Sequence, residues 1–189
     1  MVARRNSETH MPRYFAFLRA INVGGHTVKM DVLSDLFGSL KFRNVETFIA
    51  SGNVIFETSS NEAAVLEKKI EAKLLAALGY EVATFIRTDT ELVALAHHSA
   101  FATAELGKAQ ALNIAFLKQP LGVQAQQKLA AFKTDIDDFS SNGRELYWLC
   151  RKKQSESTFS NVRLEKALGI QATFRGINTV QKMVAKYLQ

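Results

Sequence analysis

The sequence predicts an α+β protein of two tandem ferredoxin-like α/β plaits, βαββαβ twice, with a linking helix between them and a further helix at the carboxyl end. Three observations predict it. A strand, helix, strand, hairpin, strand, helix, strand pattern occurs twice along the chain. The two hairpins turn at Ser51-Gly52-Asn53 and at Asn142-Gly143, and Gly79 and Gly169 end the second helix of each repeat.

Each element has its own signal. Tyr14 to Ala20 is apolar on both alternating faces, as suits a central strand covered on both sides. Met30, Leu33, Phe37 and Leu40 recur at helical spacing. Val45 to Ala50 and Asn53 to Thr58 form strands around the Ser-Gly turn. Ser59 with Glu62 forms a capping-box pattern for a helix carrying Val65, Leu66, Ile70, Leu74 and Leu78. Glu81 to Arg87 is the fourth strand.

Thr88 and Glu91 form a second capping box, opening the linking helix that runs to about His98. The alanine-rich, polar stretch from Ser99 to Gln110 is the boundary. Residues 1–12 are then a polar lead-in, and 13–98 and 111–189 are two units that together can form one compact body. In the second unit Ala111 to Lys118 is a strand, and Pro120 stands near the start of a helix with Leu129 and Phe132. Ile136 to Ser140 pairs with Glu145 to Cys150 across Asn142-Gly143. Ser160 to Leu168 is a helix, Gln171 to Arg175 the last strand, and Asn178 the cap of the final helix.

Composition narrows the function classes. The 189 residues are 47% hydrophobic, ample for a packed core. No apolar run approaches the roughly 18 residues of a membrane span, so no membrane partner is expected. Residues 1–12 lack the apolar stretch of a secretory signal. The single cysteine, Cys150, lies in an apolar strand; it excludes an internal disulfide and fits a reducing cytoplasm. The net charge of +6 is concentrated between Arg144 and Gln189, where nine basic residues meet three acidic ones.

Two candidate sites follow. Right-handed crossovers bring the exit of the first strand and the first hairpin to one end of the sheet. That places Asn22, Gly24 and Gly25 near Ser51 and Asn53, with Arg19 beside them, as a loop able to present N–H groups to an anion. Asn53 is expected to hydrogen-bond the glycine loop. The second site is the basic quarter, where Arg151, Lys152, Lys153, Arg163 and Lys182 suit a phosphate backbone if they share one surface. Exposed aromatics for base stacking are not expected, because Tyr14, Phe15, Phe17 and Phe56 stand on covered strands. The adjacent His97 and His98 point about 100° apart on a helix, so no metal site is expected, and no motif calls for a cofactor.

Three ordered motifs also carry a family resemblance: Leu18-Arg19-Ala20-Ile21-Asn22-Val23-Gly24-Gly25, then Ser51-Gly52-Asn53-Val54, then Arg175-Gly176-Ile177-Asn178-Thr179-Val180. From about Arg13 onward the chain resembles the bacterial domain of unknown function 1697 family. The resemblance implies a pair of α/β plaits and names no reaction. It departs from the family pattern at Ala20, where relatives carry Gly, and at Gly176-Ile177, where relatives carry Asn-Trp. Arg175, Asn178 and Thr179 join the candidate ligand set through this motif.

The expected function is binding of an anionic partner, either nucleic acid or a phosphate-bearing small molecule. The alternative is an enzyme acting on a small polar substrate in a cleft between the units, lined by Arg19, Asn22, Ser51, Asn53, Arg175, Asn178 and Thr179.

Overall fold

Strand β1 (Arg13–Leu18) is built of aromatic and aliphatic residues from Tyr14 on, and both of its faces are covered. In the computed structural model, which describes residues 11–188, Tyr14, Ala16 and Leu18 face one core and Phe15 and Phe17 face another. All five are buried, as the two-sided pattern predicts. The predicted lead-in lies almost wholly outside the described residues.

The first core joins the sheet to α1 (Met30–Gly38) and α2 (Ala63–Leu78) through Leu33, Phe37, Leu66, Ile70 and Leu74. The sheet is completed by β2 (Arg43–Thr47), β3 (Asn53–Glu57) and β4 (Thr84–Thr88), in the order β2-β3-β1-β4 with every neighbour antiparallel. Helix α3 (Asp89–His97) and the short α4 (Thr103–Leu106) lead to β5 (Ala111–Phe116). Then come α5 (Val123–Ala130), β6 (Asp137–Asn142), β7 (Glu145–Cys150), α6 (Asn161–Leu168), β8 (Thr173–Gly176) and α7 (Ile177–Tyr187). The second sheet has the order β6-β7-β5-β8, again antiparallel throughout. The described residues are therefore an α+β fold of two four-stranded antiparallel sheets and seven α-helices.

The two sheets correspond in register as well as in order. Phe15 pairs with Arg87 as Ile114 pairs with Arg175, and Phe17 pairs with Asn53 as Phe116 pairs with Glu145. Their inner faces share the middle core, where Phe15, Phe17, Ile55 and Phe85 meet Ile114, Phe116 and Tyr147, with Leu92 and Leu95 of α3 and Val180 and Met183 of α7 around them. The outer face of the second sheet packs on α5 and α6 through Leu129 and Leu164, with Phe159 of the segment before α6 in the same core.

Edge strand β4 has an unusual outer border. Its outward N–H groups at Thr84, Ile86 and Thr88 each donate to a glutamate: Glu71 at 2.8 Å, Glu67 at 2.9 Å and Glu91 at 2.9 Å. The last belongs to the predicted Thr88–Glu91 capping box, which is formed.

Local expectations fail where a nearer partner wins. Ser59 and Glu62 make no capping box: Thr58 Oγ1 takes the Ser60 N–H, the Tyr14 hydroxyl takes the Ser60 carbonyl at 2.9 Å, and α2 starts at Ala63. Strand β2 ends at Thr47, so residues 48–52 form a wider turn than predicted, closed by Phe48 N–H on Asn53 O at 2.9 Å. Gly52 is required there: its φ is +73°, and a Cβ at that position would fall only 2.7 Å from Ile21 Cγ2. Helix α5 starts after Gly122, beyond Pro120, and α7 after Gly176, neither glycine supplying a side-chain cap, which puts Asn178 inside the first turn of α7.

Candidate functional site

Arg175 was expected at a ligand surface, and the structure buries it instead. From β8 it reaches across to the first sheet, where Nε donates to Asn53 Oδ1 at 2.6 Å and Nη2 to the carbonyls of Leu18 and Ser51 at 3.0 and 2.6 Å. Nη1 donates to Thr173 Oγ1 and the Phe174 carbonyl. Burial without a carboxylate partner pushes its pKa down to about 10. With its donors occupied, Arg175 is a clamp on the first hairpin. Arg87 is the matching clamp in the other direction, donating from Nε to Glu145 Oε1 at 2.6 Å and from Nη2 to the carbonyls of Leu117 and Arg144.

Arg19 is likewise engaged in joining the sheets. Its guanidinium holds Glu165 at 2.6 and 2.5 Å, and Lys118 holds Glu71 at 2.5 Å in the corresponding place. The hydrogen bond to Glu165 raises the Arg19 pKa. Where a cleft lined by Arg19, Asn53 and Arg175 was expected, the two sheets are joined by clamps, ion pairs and the shared apolar core.

The glycine loop does meet the hairpin, through a different residue from the one expected. Asn22 Nδ2 donates to the Ala50 carbonyl at 3.1 Å and its Oδ1 accepts the Val28 N–H at 2.7 Å. Asn53 instead donates within its hairpin, to the Phe48 carbonyl and to Ser51 Oγ, while its Oδ1 accepts from Arg175. Gly24 and Gly25 take φ of +69° and +90° with open space around them, so the turn itself accounts for both glycines. Ala20 also has a positive φ of 53°.

The predicted cations are spread over different elements, and some are engaged within the fold. Arg151 pairs with Glu105 at 2.5 Å and Asp138 at 3.2 Å. Its hydrogen bond holds the Glu105 carboxyl below the usual range. Desolvation pushes the Asp138 carboxyl up, but Lys133 and Arg151 outweigh it and hold that group low as well. Arg163 bonds the Thr158 carbonyl and lies over the Phe132 ring. It sits on α6, which covers the outer face of the second sheet, whereas Lys182 is exposed on α7, which packs against the inner face. Lys152 and Lys153 are exposed in the turn after β7.

One predicted residue, Asn178, lines a cavity of about 370 Å³ at the amino end of α7. Its walls include Leu106, Leu112, Asn113, Gln154, Gly176 and Ile177. Thr179 lies half-buried in the same first turn. A helix leaves its first N–H groups without helical partners. In α3 these are served by Thr88, with Asp89 and Glu91 supplying acidic charge. At the corresponding place in α7, Gly176 has no side chain to cap the turn and no acidic residue stands in it. Asn113 is only 8% exposed; its Oδ1 accepts from Gln154 at 3.3 Å, and its Nδ2 has no hydrogen-bond partner. Sequence reasoning passed over Asn113 and Gln154. The signal was the single amide in Ala-Leu-Asn-Ile-Ala-Phe, an otherwise apolar strand.

Comparison with curated protein sequences finds no match. Among solved structures the chain is similar to the conserved bacterial protein SP0830 from Streptococcus pneumoniae, with a TM-score of 0.71 and 20% sequence identity over 92% of this chain and 97% of that one. That likeness is one of fold. The family described as "Protein of unknown function (DUF1697)" matches residues 11–147, which is most of the sequence, and the chain therefore belongs to the DUF1697 family.

Proposed function

We propose that this protein binds a small anionic molecule at the amino end of α7, and that it is a binding protein rather than a polyanion carrier. The observation that carries the reading is the unpartnered, buried Asn113 Nδ2 beside an uncapped helix start. The helix start offers N–H donors and a partial positive charge of about half a unit, and the Asn113 side-chain amide lines the same cavity. The capped start of α3 serves as an internal comparison, since it already holds its own anion in Glu91. We also read each sheet with its two outer helices as a ferredoxin-like plait, residues 13–98 and 111–189 being duplicated units. The matched register of Arg87 with Arg175 and of Phe17 with Phe116 supports that reading. A cytoplasmic setting suits the buried, unpaired Cys150; among the described residues, no helix is long and apolar enough to cross a membrane.

The test is amide-resolved NMR of the full chain titrated with sodium acetate, phosphate and sulfate at constant ionic strength. Saturable shifts centred on Asn113, Ile177, Asn178 and Thr179 are expected with at least one anion. Shifts confined to surface lysines, or none that saturate, would refute the site.

A further inference from the structure

Resting on that site, we infer that its ligand is a carboxylic acid with an apolar body, and that a phosphate ester is a poor substitute. The chemistry of the wall decides this. None of the residues lining the cavity is a lysine or an arginine. The basic residues adjacent to the wall in sequence, Lys108, Lys153 and Arg175, stand outside it: Lys108 pairs with Glu105 at 3.3 Å, Lys153 is exposed in the turn after β7, and Arg175 is the buried clamp on Asn53. Arg151 is already committed to Glu105 and Asp138.

A phosphate monoester carries about −1.5 to −2 charges at neutral pH and usually recruits arginine or lysine. A carboxylate carries one charge, closer to what a helix start and neutral amide donors can balance without a cation. The remaining wall then has its own use. Leu106, Leu112 and Ile177 give apolar contact to the body of the acid, and Gln110, Gln154 and Asn178 offer amides to any polar group on it. The cavity of about 370 Å³ has room for an alkyl or aryl acid of modest size. Gly176 and Ile177, both in the wall, leave that part of it small and aliphatic.

The experiment uses three probes that share one ring: phenylacetate, phenyl phosphate and benzyl alcohol. Each is titrated into the full chain by calorimetry and by amide-resolved NMR. Phenylacetate should saturate with shifts at Ile177, Asn178 and Thr179, and phenyl phosphate should bind about tenfold more weakly, because the second charge is desolvated without a counterion. Benzyl alcohol should bind more weakly still. Asn178→Asp places a like charge in the first turn without opening the core. It should lower phenylacetate affinity about fivefold or more while keeping the helix, since an acidic residue there suits the helix dipole. Phenyl phosphate binding tighter than phenylacetate overturns the carboxylate assignment and leaves an anion site standing, whereas unchanged phenylacetate affinity in Asn178→Asp places the bound anion elsewhere and overturns both. No saturable binding by any probe, with none by the simple anions, removes the site and this inference together.

Discussion

Phe17 and Phe116 occupy the same register position in their respective sheets and stack on each other, ring centroids 3.8 Å apart and planes 10° from parallel. Arg175 lies over the first ring and Arg87 over the second. The contact between the two sheets is therefore an apolar centre with a cationic clamp on each side. Truncating either ring to Ala should cost about 3–5 kcal/mol in chemical denaturation. The double variant should cost less than the sum, by about 0.5–1.5 kcal/mol for the lost ring pair. Full additivity would show that the rings act independently.

The clamps should not be equivalent. Arg87→Met strands Glu145, which is largely buried, and should cost about 3–5 kcal/mol. Arg175→Met leaves an amide and carbonyls unserved but no opposite charge, and about 1–3 kcal/mol is expected. Urea denaturation of the two variants at one pH checks the order; a larger loss in Arg175→Met would contradict it.

Glu67 gives a pH dependence of known sign. Burial, its largest influence, raises its pKa above the ordinary 4.5, although the Ile86 N–H and nearby cations oppose the shift. The folded state then holds a proton more tightly than the unfolded state. Its contribution is fully present below the unfolded value and is lost as pH rises through the folded one. Glu67→Gln keeps an acceptor for the Ile86 N–H. It should be more stable than the parent at pH 7 to 8 and nearly equal to it near pH 4, by thermal unfolding across that range.

Gly176→Ser should give α7 the cap it lacks. The backbone there is extended at φ −62° and ψ 143°, and a Cβ would approach Asn113 Oδ1 no closer than 3.9 Å. Stability should rise by a few tenths of a kcal/mol. The hydroxyl would serve the N–H groups offered to the ligand, so anion affinity should fall in NMR titration. Stability rising with affinity unchanged would place the anion elsewhere.

Generic nucleic acid should bind weakly, because Arg151 and Arg175 are committed internally and Arg163 and Lys182 belong to different layers. Duplex DNA titrated between about 50 and 200 mM salt should give a log–log slope shallower than about −3. A slope near −6, flattened by charge reversal at Lys152 and Lys153, would restore the polyanion reading.

How much was legible follows from the range of each interaction. The two-sided apolar pattern of β1 and the Thr88–Glu91 cap are local signals, and both appear in the fold. The meeting of the glycine loop with the hairpin followed from topology, although the bonding atom belongs to Asn22. The clamps were hidden because partners such as Arg175 and Asn53 stand 122 residues apart, and nothing in either segment names the other. Arg19 and Arg175 looked available because a free arginine and a committed one are identical in sequence. Asn113 gained its meaning only when strand pairing set it beside Gly176.

The three glutamates along β4 also govern how copies of this chain can meet. An open strand border is a template on which another chain can polymerise, and its amide hydrogens are half of that template. Here alternate amides at Thr84, Ile86 and Thr88 are already spoken for, and a newcomer would have to displace charged side chains to zip alongside. On the opposite border, β2 is short, kinked by a register shift between Arg43 and Glu46, and turned through a left-handed Asn44. Fibre growth by strand addition to the first sheet is thereby blocked on one side by chemistry and on the other by shape.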